Sequence, residues 1–203
     1  MKLYEVTTLS IQLTATGATH AALEKHLPDA GGRLLGVWTA DVGVLNRIYV
    51  LRGFASHDEL HDARERLLRS ADPLGCGAGL DRLESNAYAP FPFLPPIEPA
   101  VHGRCYELRT YGLKHGLLPQ TIEAWRQAVP GRTELSPLIG AMYALDGDLT
   151  RFLNIWAYPS ANDRAGVRAD AVAKGVWPPV GGPTSLTHMS STLATPAAYS
   201  PLK

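Results

Sequence analysis

Between Tyr106 and Gly116 the chain reads YELRTYGLKHG. Glu107, Arg109 and Tyr111 stand on alternate positions, so on a strand all three project from one face. A guanidinium and a phenol on one face can orient and polarise a bound oxygen, and a carboxylate beside them can move a proton. His115 follows in the loop at the strand end, and an imidazole is a residue type suited to accepting or giving a proton. These residue types suit acid–base work on a carbonyl-bearing molecule. Glu107, Tyr111 and His115 are the candidate catalytic groups, and Arg109 is a candidate substrate anchor. His188, where the last strand opens, is a second candidate for proton transfer. A plainer reading stands beside this one. Buried charges need partners, so Glu107 and Arg109 also suit an ion pair that fixes packing, and His115 suits a solvated loop.

Other motifs carry less. His57 and His61 are four apart in HDELH, but the Asp and Glu between them fall on another helix face and no third ligand follows, so no metal is expected. GCGAG at Gly75–Gly79 lacks the Lys-Ser/Thr of a phosphate loop, and GGPTS at Gly181–Ser185 is turn chemistry. Cys76 and Cys105 have no metal-like spacing and are expected as reduced thiols. The 19 basic and 19 acidic residues cancel, which argues against a nucleic-acid partner. No basic amphipathic stretch marks a membrane surface, and no apolar run approaches the ~18 residues of a membrane span. The opening MKLYEVTTLS has no apolar signal core, so a cytoplasmic location is expected.

The elements that position these residues come from a tandem repeat. Tyr4-Glu5-Val6-Thr7-Thr8 aligns with Tyr106-Glu107-Leu108-Arg109-Thr110, and Leu34-Leu35-Gly36 with Leu138-Ile139-Gly140. Gly43 then meets Gly147, Arg47 meets Arg151, and Ser56 meets Ser160. Pro90, Pro92, Pro95, Pro96 and Pro99 mark a semi-rigid linker, giving repeats over 1–88 and 104–203 joined by 89–103. Each repeat reads strand, helix, hairpin, helix, strand. The partner strands of the hairpins are predicted at Arg47–Phe54 and Arg151–Tyr158. Ser56 with Glu59, and Ser160 with Asp163, are helix-start signals. The order is βαββαβ.

The stretches YELRTYGLKHG, LIGAMYALDGDLTRFLNIWAYPSANDRAGVR and GVLNRIYVLRGFASHDE resemble the NIPSNAP family, in two tandem copies covering nearly the whole chain. The resemblance implies an α+β fold, with two ferredoxin-like βαββαβ repeats packed sheet to sheet into an α+β barrel closed within one polypeptide. It belongs to a superfamily that includes cofactor-free monooxygenases, haem-binding enzymes and isomerases. It thus implies a cofactor-independent enzyme acting on a small, partly aromatic or carbonyl-bearing metabolite in the barrel cavity. The alternative is a non-catalytic small-ligand-binding or scaffold protein. No cofactor is expected, and a homodimer of tandem barrels is compatible with the superfamily.

Within such a barrel each strand has a helix face and an interior face. Leu153, Ile155 and Ala157 form an unbroken apolar set, which suggests helix packing and leaves Phe152, Asn154, Trp156 and Tyr158 inside. By the same logic Leu108 and Thr110 lie under helices, and Glu107, Arg109 and Tyr111 line the interior. Asn154, Trp156 and Tyr158 therefore join Arg109 as candidate substrate-binding residues. The matching set of the first repeat, with Thr7, Leu9, Ile48 and Val50, is greasier. One working pocket, in the second repeat, is expected. A haem would need an axial His inside the barrel, and no interior strand position is a His.

Overall fold

The computed structural model describes residues 1–203. The first repeat runs β1 (Leu3–Ile11), α1 (Thr16–His26), β2 (Arg33–Val42), β3 (Arg47–Phe54), α2 (His57–Arg69) and β4 (Leu80–Pro90). The second runs β5 (Cys105–Leu113), α3 (Leu118–Thr133), β6 (Leu138–Ala144), β7 (Arg151–Tyr158), α4 (Ala161–Ala173), a single turn α5 (Gly182–Ser185) and β8 (Leu186–Pro196). The hairpin partner strands fall where the sequence puts them. Ser56 and Ser160 cap α2 and α4, their hydroxyls accepting from the backbone N–H of Glu59 and Asp163 at 3.1 and 3.2 Å. The GGPTS segment, expected as a turn, winds into α5.

The strands close into one eight-stranded antiparallel barrel in the order β1-β3-β2-β8-β5-β7-β6-β4. Two seams join the repeats: β2 with β8, and β4 with β6. This is the α+β fold of two ferredoxin-like repeats in one barrel, as the resemblance implies. No helix is long and apolar enough to cross a membrane.

The assignment of strand faces is the reverse of the sequence expectation. Leu108, Leu153, Ile155 and Ala157 point into the barrel, where they pack with Tyr4, Trp38 and Tyr106. Glu107, Arg109, Tyr111, Asn154, Trp156 and Tyr158 lie on the outer face, beneath α3 and α4. The first repeat follows suit: Leu9, Ile48 and Val50 pack on Leu23 and Leu27 at α1, not in the barrel. The physical reason is that both faces are covered. Around Leu108, Leu153 and Ile155 the interior is lined by apolar side chains of the two sheets, its charged residues standing only toward the open end, so this stretch takes the apolar set. The helix layer brings arginines, so it can take the carboxylate.

One end of the barrel is plugged. Ile97, from the proline-rich segment, and Leu202, near the C-terminus, are buried with the barrel core, and the Ile97 N–H donates to the Tyr4 hydroxyl at 2.9 Å. Phe91 turns outward into the helix layer and is fully buried. The segment between the repeats thus supplies core to two different layers. The other end, where both hairpin tips lie, opens onto a cavity of about 610 Å³.

Candidate functional site

Glu107, fully buried on β5, is the hub of the second repeat's helix layer. It accepts from Arg109 on its own strand, from Arg164 of α4 at 2.6 Å, from the Ser191 hydroxyl of β8 at 2.8 Å and from the Tyr158 hydroxyl at 3.3 Å. Arg168, one turn further along α4, stops at 3.9 Å. Arg109 also donates through Nε to the Tyr111 hydroxyl. Arg132, buried on α3, donates to Ser136 at 2.8 Å and Tyr158 at 3.2 Å and lies 4.3 Å over the Trp156 ring. Arg132 has no carboxylate partner.

Beside this cluster lies a cavity of about 420 Å³, between the sheet and the α3/α4 layer. Trp125, Phe152 and Trp177 form its aromatic wall, with Trp125 meeting Phe152 and Trp177 edge-on at 5.2 and 4.9 Å. Arg109, Tyr111 and Arg168 supply its polar side, and His188 borders its open edge from the end of β8, its ring lying over Gly112 on the Thr110 side of β5. A larger concavity of about 700 Å³ is an open groove outside α3. Its one charged lining residue, Glu123, is already held by Arg126 at 2.7 Å, so it offers no comparable chemistry.

The two repeats treat the same framework differently. In the first, Glu5 pairs with Arg52 at 2.5 Å and Arg64 at 2.6 Å, and Arg64 also reaches Asp146 at 2.7 Å. Two carboxylates meet two guanidiniums, and the cluster is neutral. In the second, Glu107 alone faces Arg109, Arg164 and Arg168, with Arg132 behind Tyr158. The cations outnumber the carboxylate. The counterparts of the cavity residues are also filling in the first repeat: Leu9 stands for Tyr111, Ile48 for Phe152 and Leu23 for Trp125, and all pack solidly with Cys76. A strand Glu tied to an Arg of the second helix is therefore common framework. The excess charge and the aromatic-walled space are particular to the second repeat; the first keeps a smaller pocket of about 220 Å³ beside Arg52 and Arg66, away from Leu9 and Ile48.

The predicted residues separate accordingly. Arg109 and Tyr111 line the cavity. Trp156 and Tyr158 form its buried backing, and Asn154 is a strut, accepting from Trp156 Nε1 at 2.9 Å and donating to the Arg109 carbonyl at 3.2 Å. His115 lies away from the cavity, exposed in its loop, 3.4 Å from the Thr150 hydroxyl. His57 and His61 are exposed on α2 and gather no further metal-type ligand. Both cysteines are buried and unpaired. Sequence reasoning missed Arg132, Arg164, Arg168 and Trp177. The signal for the α4 pair was readable: Arg164 and Arg168 are four apart on a helix, and Arg168 aligns with Arg64 of the first repeat.

Burial alone would raise the Glu107 pKa. The Arg164 hydrogen bond, the Arg109 charge and the Ser191 hydroxyl overcome it and hold the carboxyl down at about 2. A group so depressed contributes stability that is fully present above its unfolded pKa near 4.5 and is lost as pH falls toward 2. Thermal melts should therefore be flat above roughly pH 5 and drop steeply below it. A Glu107→Gln variant should lack most of that acid limb. An unchanged acid limb would show that Glu107 is not held in this way.

A model of the NIPSNAP family matches residues 3–95 and again 106–201. The NipSnap homolog of Dictyostelium discoideum is 26% identical over 180 residues, spanning 87% of this chain and 78% of that protein. NipSnap homolog 2 of Danio rerio is 31% identical over 100 residues, 48% of this chain and 35% of its own. Among solved structures, a suspected monooxygenase from Lactobacillus acidophilus superposes with a TM-score of 0.71 at 10% identity, covering 97% of this chain and 94% of its own. An anthrone oxidase-like protein gives 0.67 at 8% identity, covering 97% and 91%. These two likenesses speak for the fold alone.

Proposed function

The chain belongs to the NIPSNAP family, and from that premise we propose that its second repeat binds a small organic anion with an aromatic or apolar body and moves a proton on it. The observation that carries this reading is the uncompensated positive charge beside an aromatic cavity, set against the neutral, filled counterpart in the first repeat. An anionic head would supply the missing counter-charge to Arg168, the least committed of the arginines, and to Arg109. The body would lie against Trp125, Phe152 and Trp177. Arg109 and Tyr111 would stabilise charge developing on a carbonyl oxygen.

The proton would pass to His188 at the open edge. Glu107 is enclosed behind Arg109 with both oxygens engaged, and His115 is outside the cavity. Should His188 take no part, the same geometry supports binding without turnover.

Phenylpyruvate tests both steps, because it carries a ring, a carboxylate and an exchangeable methylene. It should bind, and Arg168→Met should weaken it by at least about tenfold without lowering the melting temperature. In deuterated water the protein should speed deuterium entry at the methylene, and His188→Gln should abolish the acceleration while leaving affinity within about twofold. Acceleration that survives His188→Gln would remove the role given to that residue. Binding indifferent to Arg168→Met would remove the proposal for the pocket.

A further inference from the structure

The barrel interior is separate from the cavity just described, because the sheet lies between them: Arg109 faces one side, Leu108 and Thr110 the other. We infer that the open end of the barrel is a second binding site, for an organic anion that enters with its apolar body first. The space is about 610 Å³ and is lined from both repeats. Its walls are related in pairs by the repeat. Val6 corresponds to Leu108, Thr8 to Thr110, and Arg47 to Arg151, and all six line the cup. A cup with apolar lower walls, hydroxyls above them and two guanidiniums at the mouth has the polarity order of a small carboxylate or sulfonate standing on its hydrocarbon end.

The arginines supply the sign of the charge. Arg47 makes no salt bridge and no side-chain hydrogen bond, and its Nε is buried without a partner. A half-buried guanidinium with an orphan donor is costly unless something accepts from it. Arg151 is 8% exposed; one of its nitrogens donates to the Asp146 carbonyl at 3.2 Å and to the Asp148 carbonyl, and its head lies 5.8 Å from the Tyr88 ring. The carboxylates nearby do not neutralise Arg47. Glu84 lines the cup but is taken by Arg82 at 2.9 Å, and Asp148 stands exposed on its hairpin tip. A turn-shaping role explains Arg151, through those carbonyls. It does not explain Arg47, which has none.

Calorimetric titration with naphthoate, beside its neutral analogue naphthylmethanol, decides the matter. The wild type should bind two naphthoates. Arg47→Met should weaken one of them by at least about tenfold, the effect of losing a charge-assisted hydrogen bond. Arg168→Met should weaken the other, so failure of the outer pocket and failure of the barrel site are read on different variants. In the Arg168→Met protein, naphthylmethanol should bind at least about tenfold more weakly than naphthoate. Arg47 has no partner to lose, so Arg47→Met should melt no lower than the wild type. Two sites untouched by Arg47→Met, a single site that vanishes in Arg168→Met, or equal binding of the alcohol would each overturn the inference. A melting temperature that falls in Arg47→Met would overturn it too, by making Arg47 a structural corner.

Discussion

Replacing Glu107 by Gln should lower stability by about 3–5 kcal/mol, the effect of removing one side of a buried ion cluster. In a chain of this size that is a fall on the order of 10 °C in melting temperature. The size follows from what is left behind. Arg109, Arg164 and Arg168 lose their only carboxylate, Arg132 loses its distant counter-charge, and four guanidiniums then share one partly dry layer. Arg109→Met should cost only about 1–2 kcal/mol, since Glu107 keeps Arg164, Ser191 and Tyr158. The double variant should be less stable than Arg109→Met but lose less than the two single losses summed, because the pair is in direct contact. The order of melts is the check. If Arg109→Met fell further than Glu107→Gln, the carboxylate would not be the hub.

The second large effect is expected at Trp125. It is 3% exposed and meets Phe91, Phe152 and Trp177 edge-on at 5.8, 5.2 and 4.9 Å. Truncation to Ala should cost about 3–5 kcal/mol, from lost burial and the void left beside an existing cavity. It should also weaken phenylpyruvate binding, because the residue is a wall of the pocket and the support of Trp177. Trp125→Phe should recover much of the stability, keeping an edge-to-face partner. Urea unfolding of the three proteins measures this. A loss under about 1 kcal/mol for Trp125→Ala would mean that the aromatic wall is not a packed unit.

Much of this architecture was legible before any coordinates. The alignment of Arg47 with Arg151 and Ser56 with Ser160 placed the hairpins and caps, because turns and caps are local chemistry that survives duplication. Spacing put Glu107 and Arg109 on one strand face but left open whether each pairs with the other, with another strand or with a ligand; in the structure they pair with each other. Which face of the strand is which was not. Alternation divides residues into two sets, and in a barrel wrapped by helices both sets are covered, so hydrophobicity does not name the inner one. The deciding information lay elsewhere in the chain, in Arg164 and Arg168 on α4: a buried carboxylate goes where cations can reach it. His115 is next to the motif in sequence, but the strand carries it past the end of the sheet into solvent, away from the cavity.

The two seams, β2 with β8 and β4 with β6, make the barrel from one polypeptide. Were the halves identical separate chains, every substitution would occur twice, and an open pocket on one side would force an open pocket on the other. A single mutation emptying the helix layer would then destabilise both halves at once. The covalent version breaks that rule. Leu9, Leu23 and Ile48 can fill one side while Tyr111, Trp125 and Phe152 frame a void on the other. The stoichiometry of the outer pocket falls from two per barrel to one. In return, the stretch of the first half around Leu9, Leu23 and Ile48 serves as a counterweight whose sequence need satisfy packing alone.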